Sequence, residues 1–128
     1  MTLEEEKGRR RGELYTQLTQ YQQRQKSLEE DMKACARMKE DISNALRCLK
    51  SVKGFIEYAA SSLEENYKGD KLIEKLTSIN RKRVDIEGDI AKMEENVTNA
   101  GEGYNYYMRL RNETVDNIIR INTELRTL

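Results

Sequence analysis

Proline, histidine and tryptophan are absent from this 128-residue chain, phenylalanine occurs once and cysteine twice. A compact globule of this length usually carries some proline in its turns. Without histidine the chain lacks the side chain most used near neutral pH as general base and metal ligand. Two cysteines, Cys35 and Cys48, are too few for a zinc site. Thirteen residues apart on one helix, they would lie roughly 20 Å from each other, beyond disulfide reach. Cys35 reads as a small core residue, and Cys48 as one that could react or link two copies. Free thiols suit a reducing compartment.

Also missing is any apolar run of about eighteen residues, so no segment reads as a membrane span. The opening "MTLEEEKGRRRGEL" lacks the basic-then-apolar order of a signal peptide. The expectation is a cytoplasmic protein, or one exported without a cleaved signal. Net charge is zero, with 23 basic and 23 acidic residues, so no overall field draws the chain to nucleic acid or lipid. "KGRRRG", Lys7 to Gly12, follows three glutamates and reads as part of a solvated, charged leader over residues 1–12. A surface-binding alternative would use that run together with "RKR", Arg81 to Arg83, and its binding would weaken steeply with salt.

What the chain does have is charge (36%) against a modest apolar share (37%). Such a balance fits either disorder or long helices with a narrow apolar seam, and periodicity separates the two. Alternating steps of four and three from Leu14 to Tyr67 land on apolar residues at thirteen of sixteen positions. The same walk from Leu72 to Leu128 scores fourteen of seventeen. That is the 3.5-residue repeat of a coiled-coil seam. Lys39 and Lys53 interrupt it, with Met38 and Val52 placed to lean into the same groove.

Between the walks the phase slips at "NYKGDK", where Tyr67 to Leu72 is a step of five. Gly69 can adopt the left-handed C-cap conformation, and Asp70 can cap the next helix. The chain therefore reads as an all-α antiparallel helical hairpin over residues 13–128: helix 13–67, turn 68–70, helix 71–128. Facing residues should have numbers summing to about 138. That places Gly101 and Gly103 opposite Ala36 and Cys35, and Gly54 opposite Val84. A bend or break near 101–103 is the alternative course of the second helix, since each interior glycine costs about 1 kcal/mol against alanine. Arms of about 85–90 Å are expected.

No motif points to catalysis, and no catalytic, cofactor or metal residue is assigned. "GEGY" has neither the preceding strand nor the Gly-Lys-Ser/Thr continuation of a phosphate loop. Function must then lie in contact. A two-helix seam uses only its own stripe, yet Tyr15, Val52, Phe55, Tyr58 and Ala59 fall outside or beside it. So do Ile73, Tyr106, Met108, Leu110, Val115 and Ile119. Phe55, Tyr104, Tyr107, Met108, Val115 and Ile119 are the candidate partner-binding residues. They would serve either a helical protein partner or a homodimeric four-helix assembly.

The corner "YKG", Tyr67–Lys68–Gly69, between two helical arms resembles the turn of the small WXG-type (Esx-like) proteins of type VII secretion. "ELYTQLTQYQQRQKSLEEDM" followed by "LRCLKSVKGF" is similar to the small helical proteins encoded beside LXG toxins. The resemblance covers most of the chain as a pattern. It implies an adaptor that binds the helical LXG domain of a toxin, alone or with a second small helical protein, and accompanies it to the secretion machinery. The chain departs from the family in carrying Tyr67 where tryptophan is usual. It also lacks Tyr-x-x-x-Asp/Glu: Tyr104, Tyr106 and Tyr107 are followed four places on by Met108, Leu110 and Arg111. A self-associating structural coiled coil is the competing reading.

Overall fold

The computed structural model describes residues 2–128. Two helices account for nearly all of them, α1 (Leu3–Asn66) and α2 (Gly69–Thr127), and no strand occurs among the described residues. They pair as an all-α helical hairpin. Only Tyr67 and Lys68 separate them, and Gly69 follows with φ at 62°, the one positive φ among the described residues. An L-residue pays about 1–2 kcal/mol in that region and glycine does not, which is why the reversal sits there. Asp70 lies inside α2. It therefore complements the helix dipole from the first turn instead of capping from outside.

The chain forms two compact units, Met1–Ala36 with Gly101–Leu128 (unit 1), and Arg37–Ala100 (unit 2). In unit 1 the core is Leu14, Leu28, Met32 and Ile121, with Leu14 and Ile121 almost wholly enclosed. Full burial of such a side chain stabilises by about 1.5–3 kcal/mol. Thr114 is buried among them, and its hydroxyl is satisfied by donating to the Leu110 carbonyl at 2.9 Å. Gly103 faces Cys35 so closely that a Cβ there would stand 3.3 Å from the Cys35 Sγ. Their numbers sum to the expected 138. In unit 2 only Ala60 and Ala100 are fully buried, and the remaining seam residues are half-buried, save Lys39. Lys50–Glu94 at 3.6 Å and Lys53–Glu87 at 3.7 Å bridge its two helices. Lys75 Nζ sits 4.7 Å above the Tyr67 ring.

The seam follows the apolar walk closely: no position of the α2 walk is exposed, and on α1 only Lys39 is. Three expectations need correction, and one alternative falls away. Residues 3–12 are mostly exposed, as expected, but they form the start of α1 and are not a leader outside it. Thr2 and Glu5 form a reciprocal capping box, each backbone N–H donating to the other's side chain at 3.2 Å, which fixes the helix start. Helix α2 runs unbroken through Gly101 and Gly103, so the broken alternative is excluded. Met38 and Val52 stay exposed and do not fill the groove beside the seam lysines. Gly54 and Val84 are both exposed, with nothing within 4 Å of a Cβ at Gly54; they are one place off the seam, and face outward.

Candidate docking surface

Assigning the walk positions to heptad letters a and d places every other residue. In an antiparallel pair the helices wind in opposite senses when viewed from one end. Residues one place after the seam (b and e) on both helices therefore share one flank, and those on its other side (c and g) share the other. Two ion pairs confirm the geometry. Lys50 and Glu94, both e, meet in unit 2, and Arg10 and Glu124, both g, meet in unit 1.

Seen this way, the six partner-binding candidates separate. Tyr104 (a) and Tyr107 (d) belong to the seam and are half-buried, so they first hold the hairpin together. Tyr107 also stacks edge-on with Tyr106, ring centroids 5.4 Å apart. Met108 and Val115, both e and half-buried, share the b/e flank of unit 1 with Ile119 (b), which is 56% exposed. Phe55 (c) lies in unit 2 on the c/g flank, 74% exposed. Tyr58 beside it is equally exposed. Ser51, Gly54, Phe55 and Tyr58 line an open hollow of about 580 Å³. The corner residues are a half-buried Tyr67 with exposed Lys68 and Gly69. Tyr67 continues the helical ladder by donating to the Leu63 carbonyl at 2.9 Å.

A second feature of unit 1 was not legible in the periodicity. Glu29, Met32, Lys33 and Ala36 of α1, with Tyr104 and Arg111 of α2, line an open cleft of about 320 Å³. All six are a, b or e residues, so the cleft opens on the b/e flank. Arg111 occupies a seam position and sends its guanidinium outward, 4.0 Å from a Glu29 carboxylate oxygen. Its Nε is shielded from solvent and has no hydrogen-bond partner. In the walk Arg111 counted only as a lapse in apolarity. The available signal was a cation at an a position that the pairing rule sets close to Glu29.

The strongest polar contact is elsewhere. Arg10 donates to Glu124 through Nε at 2.8 Å and through a terminal nitrogen at 3.1 Å. These bonds raise the arginine's pKa and hold the Glu124 carboxyl below its ordinary range. Arg11 donates to the Leu128 carbonyl at 2.9 Å, and Arg9 pairs with Glu13 at 3.8 Å. All three arginines of the "GRRRG" run are thus engaged within the chain. Among the described residues no three His, Cys, Asp or Glu side chains cluster to hold a metal ion, and no helix is long and apolar enough to cross a membrane. No family model, curated protein or solved structure matches the chain.

Proposed function

We propose that this chain is a non-enzymatic helical adaptor that binds the helical LXG domain of a type VII-secreted toxin and accompanies it to the secretion machinery. It would act from the cytoplasm and be exported, if at all, without a cleaved signal peptide. The observation that carries the reading is the set of large apolar side chains outside a completed seam, above all Phe55, Tyr58 and Ile119. A hairpin satisfied by its own seam has no use for them. Helical partners bury such residues in i, i+3, i+4 patterns. The "YKG" corner and matched arms support the family part of the proposal, by resemblance.

Co-expression with an LXG-domain protein, followed by purification through a tag on that protein, tests it. The hairpin should co-elute, and the joint variant Phe55→Glu, Ile119→Glu should not, while keeping its helical signal. Absence of the wild-type hairpin from the eluate counts against the toxin reading. A stable homo-oligomer broken by the same substitutions would favour the self-associating coiled coil instead.

A further inference from the structure

The two flanks of unit 1 differ in charge as well as in apolarity. Heptad positions b and e carry Lys26, Lys33 and Arg126 against Glu5 and Glu29. All three of those cations are exposed, and the outward-turned guanidinium of Arg111 adds a further positive charge on the same side. At positions c and g the balance reverses: Glu6, Glu13, Asp31, Glu113 and Glu124 outnumber Arg10, Arg24 and Arg120. A neutral chain therefore has a net basic and a net acidic flank in this unit. The positive charge gathers at the cleft, where Lys26 and Lys33 stand one helical turn to either side of Glu29. Arg126 and Glu5 lie towards the far end and offset each other. The same flank bears Met108, Val115, Ile119 and the exposed Tyr15.

We infer that the b/e flank of unit 1 is a docking face for an acidic amphipathic helix of another protein, with one of its carboxylates entering the cleft at Arg111. The apolar strip supplies area and the cations around the cleft select partner charge. The Glu29 oxygen, at 4.0 Å, is beyond hydrogen-bond distance, so the terminal nitrogens of the planar guanidinium can donate as a pair to an incoming carboxylate. Glu29 stands in the same cleft, which favours a singly charged carboxylate over a doubly charged phosphate. A second copy is disfavoured as occupant, because a twofold axis would set this basic flank against itself. The inference rests on the adaptor reading and narrows its partner to acidic helices.

The test uses the full chain and two designed amphipathic peptides of about four heptads. Their leucine stripes are identical, and their flanking residues are all Glu in one and all Lys in the other. Calorimetric titration should show the Glu peptide binding at least about tenfold tighter, with the difference shrinking as salt rises. The exposed pair Lys26→Glu, Lys33→Glu should lower that affinity at least about tenfold. The opposite-flank pair Glu6→Lys, Glu113→Lys should not lower it. Arg111→Lys, which keeps charge and loses the fork, should weaken binding severalfold, with helicity unchanged by circular dichroism.

Equal affinity for both peptides overturns the inference, as does sensitivity only to the opposite-flank pair or indifference to Arg111→Lys. So does a free chain whose homodimer is abolished by Lys33→Glu. The adaptor reading fails separately. A chain that takes the Glu peptide but no LXG domain loses the toxin and keeps the flank. One that holds an LXG domain despite Lys26→Glu, Lys33→Glu keeps the toxin and loses the flank.

Discussion

Gly103→Ala sets two effects of known sign against each other. Alanine in place of glycine inside a helix stabilises by about 1 kcal/mol. The new methyl would lie 3.3 Å from the Cys35 Sγ, tighter than an ordinary contact, so Cys35 must yield by a few tenths of an ångström. In the wild-type background most of the gain should be cancelled. In a Cys35→Ala background the sulfur is gone and the full gain of about 1 kcal/mol should appear, a rise in Tm of about 3–5 °C for a chain of this size. Gly88→Ala, with nothing within 4 Å of the added Cβ, calibrates the uncancelled gain. Urea and thermal unfolding followed by circular dichroism across the four-member cycle measure the coupling, which should be at least about 0.5 kcal/mol. Zero coupling would mean that Cys35 and Gly103 are not opposed, and would refute the register of unit 1.

Gly69→Ala should destabilise by about 1–2 kcal/mol because of the positive φ, read from the same unfolding curves. Leu14→Ala and Ile121→Ala should each cost about 2–5 kcal/mol as buried truncations, whereas Ile119→Glu, on the surface, should leave stability within about 0.5 kcal/mol. The Glu124 carboxyl is held down chiefly by the hydrogen bond from Arg10. The stability it contributes is present above the ordinary carboxylate range and is lost as pH falls through the lowered value. Carboxyl carbon NMR should show Glu124 titrating below other glutamates, and Arg10→Gln should return it to the ordinary range.

The helical pairing was legible because one periodicity runs through both arms and breaks once, at a residue that tolerates positive φ. Register followed from arm length, and Cys35 with Gly103 bore it out. Residues 3–12 were misread because a run of arginines was weighed by charge alone. Thr2-x-x-Glu5 is a helix-start signature, and Glu124, the partner of Arg10, lies at the other end of the chain. Gly54 and Val84 show the limit of summing numbers. The rule pairs heights along the hairpin and says nothing of direction around each helix, where both point away. The exposure of the candidate docking residues was legible only in part. Ile119 and Phe55 are exposed as expected, but Tyr104 and Tyr107 are held in the seam. The Arg111 cleft arises from two helices brought together, which no window along one of them displays.

Carbodiimide cross-linking tests the antiparallel pairing within one chain without altering the protein, since the reagent joins only lysine and carboxylate groups already in contact. Lys50–Glu94 and Lys53–Glu87, at 3.6 and 3.7 Å, should both be joined. In an equal mixture of ¹⁵N-labelled and unlabelled protein, each cross-linked peptide pair should carry a single isotope. Mixed-isotope pairs, or links displaced along α2, would contradict a chain that turns at Gly69 and zips against itself.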